Sequence, residues 1–260
     1  MGDRELDRVQ AAFTRQAGHW RAGAAAFIGA DLADWIVGRI PATADDVALD
    51  VAGGSGQLAL ALAPRLSSVT VVDATEAMLE QGRNAAADAG IANVTFRRGN
   101  AYALPFADGA FDLVACRFSV HHFEKPAVAI AEMCRVARPG GHVVIADLVA
   151  PEDASLAAAF NGLEQARDPS HAAFLSATAL NEAIRAAGLH VASSDERWLK
   201  SEVDDWLSFA AADEAAAMAA RDALMADLRG GPATGMFPSV DDGVVSINRQ
   251  VVVLVARKAG

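Results

Sequence analysis

Cysteine is scarce, with two residues in 260, Cys116 and Cys134, and no Cys-x-x-Cys spacing. With no His-Glu-x-x-His either, this excludes the usual zinc constellations, and no metal is expected. Both thiols fall in segments that read as a buried strand and a helix, as core cysteines of a reducing compartment do. There is no run of five or six basic residues, and 22 Lys and Arg against 33 Asp and Glu give a formal charge of −11. That balance argues against nucleic acid and an anionic membrane surface as partners. No stretch of 18 apolar residues occurs, and the first ten residues, MGDRELDRVQ, lack a cationic leader with an apolar core. A soluble, cytoplasmic protein with no membrane partner is the expectation. Gly-x-Ser-x-Gly is missing too, because Gly54-Ser55-Gly56 has the wrong spacing for a nucleophile elbow. Neither an internal repeat nor a long linker divides the chain.

What is present is an apolar, globular composition, 53% hydrophobic, organised around VALDVAGGSGQLALALAP at residues 47–64. Val47, Leu49 and Val51 make a short buried strand. Gly53, Gly54 and Gly56 form a loop without Cβ atoms, and an apolar helix follows over 58–66. A second buried strand, SVTVVD, ends in Asp73, and Thr75 is placed to cap the helix after it. Asp73 lies 19 residues after Gly54, a distance at which an acid can bond both hydroxyls of a ribose. The segment Gly54-Ser55-Gly56-Gln57-Leu58-Ala59 also fits the dinucleotide fingerprint, so an NAD(P)-dependent oxidoreductase is a competing reading.

Further strands are expected at 94–98, 111–116 and 142–148, with a helix over 126–137 and an Arg138-Pro139-Gly140-Gly141 turn. Asn100, in the loop after the third strand, offers both a donor and an acceptor to an adenine edge. Helices at 154–167 and 178–187, a sixth strand at 189–198 and a helical insert at 202–229 follow. The run QVVVLVAR at 250–257 comes with no crossover helix before it, so it should enter the sheet antiparallel. Alternating strands and helices predict a doubly wound, mostly parallel α/β sheet. One structural domain is expected, with a helical N-terminal lid over 1–40, a cofactor-binding core over 41–150, and the rest of the sheet with its insert over 151–260.

These motifs together resemble the class I S-adenosylmethionine-dependent methyltransferases, in particular the ubiquinone/menaquinone C-methyltransferase branch. ALDVAGGSG, VVDATEAML, GNAYALPFADGAFDLV and ARPGGHVVIADLVAP stand where that family has its successive motifs. CRFSVHHF at 116–123 and RDPSH at 167–171 add a likeness to uncharacterised bacterial methyltransferases. The resemblance implies a Rossmann-like, seven-stranded sheet with an antiparallel last strand, and S-adenosyl-L-methionine as cofactor. It implies that Asp50, Ala52, Gly53, Gly54 and Gly56 border the methionine part, with Asp73 on the ribose. Ala74 and Met78 would flank the adenine, Asn100 and Ala101 would meet its edge, and the backbone near Cys116 and Arg117 would face its amino group. Ala52 replaces the first glycine usual in the superfamily, and Asn100 the commoner Asp.

A methyl group on a sulfonium is already activated, so proximity and orientation can carry the reaction. A base is needed only where the acceptor must lose a proton, and His121, His122 and His171 are the candidates. The acceptor, an O-, C- or N-nucleophile, is expected to be a small molecule. The insert's Trp206, Leu207, Phe209 and Met218 suit either an apolar substrate or a homodimer interface, and His19 and Trp20 could cover the cofactor. A protein that binds the cofactor without transferring a methyl group is the further alternative.

Overall fold

The computed structural model describes residues 3–16, 30–208 and 213–260. Eight strands form one sheet: β1 (Val47–Val51), β2 (Ser68–Asp73), β3 (Val94–Arg98), β4 (Phe111–Arg117), β5 (Ala137–Val149), β6 (Leu189–Glu202), β7 (Ser239–Asp241) and β8 (Val244–Lys258). Seven of them lie in the order β3-β2-β1-β4-β5-β8-β6, and short β7 pairs with β8 outside that path. The pairings from β3 to β5 are parallel, whereas β8 runs antiparallel to both β5 and β6. The expected doubly wound sheet with an antiparallel last strand is therefore what forms, with one extra hairpin strand.

Burial on both faces explains why the central strands read as continuous apolar runs. Along β5, Val144, Ala146 and Leu148 face one core and Val143, Ile145 and Val149 the other, following the two-residue period of a strand. Helices Glu76–Asp88, Pro126–Val136, Ala154–Arg167 and Ala177–Ala186 lie close to their expected bounds. Three differences are instructive. The Arg138–Gly141 turn is drawn into β5, whose pairing with β4 starts at Phe111↔Ala137 and passes through a bulge. β6 continues past Trp198 to Glu202, because β8 is long enough to pair with it throughout. Thr75 makes no side-chain cap; its amide instead donates to Asp73 Oδ1 at 2.8 Å.

The insert divides into helices Val203–Ser208 and Glu214–Leu228. Trp206 and Leu207 are buried in the core and so are not a free apolar surface, while Met218 is exposed. Phe209, His19 and Trp20 lie outside the described residues.

Candidate functional site

A cleft of about 1350 Å³, its open mouth included, runs along the carboxyl ends of the parallel strands, where open α/β sheets bind ligands.

At one end stands Asp73. Its Oδ2 accepts from the Gly54 amide at 2.9 Å and its Oδ1 from that of Thr75, so the last residue of β2 braces the glycine loop. Burial raises its pKa and the two amides oppose the rise. The Thr75 side chain and the Ala74 amide add to these donors, and Asp73 itself lines the cleft. Ala52, Gly53, Gly54, Ala74, Met78 and Ala101 line the same end. Gly54 has φ +56°, and a Cβ on Gly53 would come within 2.6 Å of Asp50 Oδ2, so both positions need glycine.

Asp50, Gly56, Asn100 and Cys116, which the resemblance implies at the cofactor, do not line the cleft through their own atoms. Asp50 lies beneath Gly53, with Oδ2 3.3 Å from the Ala59 amide that donates to it. Burial pushes its pKa up to about 7 against the pull of Arg117. Gly56 makes room for Phe96, whose Cε1 would lie 2.8 Å from a Cβ there. Asn100 Oδ1 accepts from the Tyr102 amide at 2.9 Å, closing an Asx turn that shapes the loop. Cys116 is buried, its thiol pKa pushed well up by burial.

The end of β4 closes the middle of the cleft. Arg117 donates to Gln57 Oε1 at 2.8 Å, and the Ser119 hydroxyl donates to the Ala52 carbonyl at 2.9 Å, tying this strand end to the glycine loop. Ala52 and Phe118, both cleft residues, hold left-handed φ of 52° and 51°. Such strain, of order 1–3 kcal/mol per non-glycine residue, gathers at functional sites. Val9 and Phe13 of helix Asp3–Gln16 also line the cleft, and Gln10 Nε2 anchors that helix to the Ala74 carbonyl at 2.8 Å.

Beyond β4 the three histidines adopt three different roles. His121 donates from Nδ1 to Asp147 Oδ1 at 2.7 Å, and its own amide reaches Asp147 Oδ2 at 3.2 Å. Asp147 is almost wholly buried near the end of β5. The carboxylate holds the proton on Nδ1, which leaves the Nε2 lone pair of a cleft-lining ring available. His122 Nδ1 lies 3.1 Å from the Ser170 carbonyl, so that nitrogen donates. Burial, reinforced by His121, lowers the His122 pKa to about 4. His171 meets Asn161 Oδ1 at 2.9 Å through Nε2. Asn161 is oriented by accepting from the Phe174 amide and donating to its carbonyl. Burial and then His121 take the His171 pKa down to about 3. It does not line the cleft, although its ring lies 5.5 Å from that of His121.

The far wall is ionic. Glu164, fully buried, accepts from Arg167 Nε at 2.9 Å, Arg249 Nη1 at 3.1 Å and Trp206 Nε1 at 3.2 Å. Burial raises and the two guanidiniums lower its pKa, to about 2. Asp147, Glu164 and Arg249 escaped the sequence reading. The signal for Asp147 and Arg249 was a charge set in or against an apolar strand, in VVIADLVA and RQVVVLVA. Among the described residues no cluster of three or more His, Cys, Asp or Glu is placed to hold a metal ion.

Fold and cleft together define a class I methyltransferase architecture. Residues 49–145 match the family model described as a methyltransferase domain. The uncharacterized methyltransferase YcgJ of Bacillus subtilis is 41% identical over 123 residues, covering 47% of this chain and 49% of its own. A ubiquinone/menaquinone C-methyltransferase, UbiE of Roseobacter denitrificans, is 38% identical over 115 residues, covering 43% and 44%. The chain thus spans about half the length of the curated relatives it matches. A solved Bacillus halodurans structure, itself provisionally assigned as a methyltransferase, superposes with a TM-score of 0.81 at 27% identity, covering 89% of this chain and 100% of that one.

Proposed function

We propose that the protein transfers a methyl group from S-adenosylmethionine to a small-molecule acceptor. The observation that carries this reading is one continuous cleft with Asp73 and bare glycine backbone at one end and the His121–Asp147 pair beyond the middle. Asp73 would hold the ribose, Ala74 and Met78 the adenine, and the Gly53–Gly54 backbone the amino-acid tail. When bound, the sulfonium supplies an activated methyl group, and what remains for the protein is alignment and exclusion of water. Phe13, Phe118 and Phe174 supply apolar walls for that purpose. His121 is the residue placed to take a proton from an acceptor hydroxyl, enol or amine, since Asp147 fixes its tautomer.

Asp50 occupies the Ala59 amide in the first turn of helix Gln57–Leu62, where a dinucleotide fold would place its diphosphate. A buried acid there supports a cofactor without one. The formal charge of −11 supports a small acceptor over a polyanion. No described helix is long and apolar enough to cross a membrane.

The test is calorimetric titration with S-adenosylmethionine, S-adenosylhomocysteine and NADH, followed by a panel of phenolic, enolic and amine acceptors assayed for S-adenosylhomocysteine release. Binding of the first two with acceptor-dependent release is expected. Binding of NADH alone would overturn the reading, and cofactor binding with no release across the panel would favour a protein that holds the cofactor without using it.

A further inference from the structure

At the Asp73 end, the loop between β3 and β4 borders the cleft with small residues alone: Gly99 and Ala101, beside Val72, Ala74 and Met78. Asn100 is turned away, its Oδ1 closing a turn on the Tyr102 amide. Recognition of a base by this loop therefore falls to main-chain N–H and C=O groups, which discriminate only as well as the loop's shape is fixed beforehand. The sheet does little to fix it. β3 is an edge strand whose partner among the described residues is β2, so no strand beyond it holds the loop. From Leu104 the sequence LPFADG contains a proline and forms neither helix nor strand.

One arginine supplies what the sheet does not. Arg135, in the last turn of helix Pro126–Val136, donates through Nη2 to the Leu104 carbonyl at 2.9 Å. Its Nη1 donates to the Phe106 carbonyl and to Asp108 Oδ1, both at 2.8 Å. The other two N–H groups go to Glu132, Nε to Oε1 at 2.7 Å and Nη2 to Oε2 at 2.8 Å. All five guanidinium donors are thereby used. Glu132 Oε2 in turn accepts the Leu104 amide at 2.8 Å, so the Glu132–Arg135 pair takes both main-chain polar groups of Leu104. The Arg135 carbonyl also accepts from the Gly109 amide at 3.0 Å, where the chain turns back towards β4. Upstream, the Ala103 amide donates to the Asn100 carbonyl at 3.0 Å, which links the clamped Leu104 to the residues at the cleft.

We infer that Arg135 is a positioning residue for cofactor binding: through Leu104 it sets the main chain of Asn100 and Ala101 that reads the nucleobase. This rests on the cleft holding an adenosyl group, as proposed above. Arg135 does not line the cleft and acts only through the loop, with bonds made wholly within the protein. Lysine could not replace it. Only a planar fork meets two carbonyls and two carboxylates at once.

The experiment titrates the full chain with S-adenosylhomocysteine and S-inosylhomocysteine, which differ only at the purine edge, where an amino group and a bare ring nitrogen become an oxo group and an N–H. Wild type is expected to bind the first at least about tenfold tighter, the scale of one hydrogen bond lost and its partner left unpaired. Arg135→Lys, which keeps a cation beside Glu132, should bring the two affinities together. A brace that only added stability would lower the melting temperature and leave the ratio unchanged. Equal binding by wild type, or a ratio that survives Arg135→Lys in folded protein, would overturn the assignment. Should the variant fail to fold, amide hydrogen exchange on ligand-free wild type decides. The Ala103 and Leu104 amides are expected to be protected there, and fast exchange that slows only when S-adenosylhomocysteine is added would overturn the assignment as well. Failure of both nucleosides to bind would strike the methyltransferase reading itself, a result distinct from equal binding.

Discussion

Asp73→Ala is the sharpest test of where the cofactor lies. The carboxylate has two jobs, and the structure separates them. It accepts the Gly54 and Thr75 amides at 2.9 and 2.8 Å in the free protein, and it lines the cleft where, on the proposed reading, a ribose would present two hydroxyls. Truncation removes both the brace and the acceptor. A hydrogen bond to a charged group contributes about 1.5–3 kcal/mol, so loss of a single such contact lowers affinity roughly 10- to 150-fold. Asn is a poorer control than it looks, because its NH₂ would confront one of the two amide donors. Asp45→Ala, on an exposed loop, is the better comparison. Calorimetry with S-adenosylhomocysteine on both variants, alongside their melting temperatures, reads the effect. If Asp73→Ala stays folded and binds within twofold of wild type, the ribose does not lie on Asp73 and the orientation of ligand in the cleft is wrong.

Two further outcomes concern stability. Glu164→Ala leaves the Arg167 and Arg249 guanidiniums buried without their shared partner, and breaking a buried pair in this way costs about 3–5 kcal/mol, readable as a shift in urea midpoint; a change below 1 kcal/mol would mean that water reaches the cluster. The buried histidines also work against stability in acid, above the pH at which carboxylates ordinarily titrate. His122 and His171 fall from an ordinary 6.5 to about 4 and about 3, so the unfolded chain binds the extra protons first and stability is lost as pH drops below 6.5. Each contributes up to about 1.4 kcal/mol per pH unit in that window. Asp50, raised to about 7, opposes them between its ordinary 3.8 and 7, and Glu164, lowered to about 2, joins them below 4.5. Asp73, also raised by burial, acts with Asp50, and His142, lowered by burial, with the other two histidines. The His122 contribution is therefore read by comparing wild type with His122→Asn: the variant's melting temperature should fall less steeply from pH 6.5 to 5, and an unchanged slope would refute the burial of His122.

The sheet was legible because its central strands are two-faced: Val69, Val71 and Val72, or Val143 to Ile145, have no polar alternation to confuse them with a helix. The edges were harder. The RPGG segment carries every turn signal and still joins β5, since tertiary pairing with Phe111 overrides local preference. β7 is short and mostly exposed, with little apolar pattern to read. In the cleft, the glycine loop and Asp73 stood out because backbone chemistry demands those residue types at that spacing. His121 could be named but not preferred to His122, because the choice depends on Asp147, 26 positions away, and on Ser170, 48 positions from His122. Long-range pairs of this kind leave no local periodicity. Trp206 shows the converse error: an aromatic in an insert invites a substrate role, whereas its indole is spent on Glu164 inside the core.

The position of β8 has a bearing on how the protein is made. A ribosome delivers β1 to β5 first, and these strands can pair in parallel as they emerge. β6, though synthesised before β8, has no neighbour in the finished sheet except that later strand. Arg249, on β8, arrives with it. The nucleoside half of the cleft can therefore take shape during translation, while the opposite wall must wait, with β6 an open edge in the interval and a natural client for chaperones.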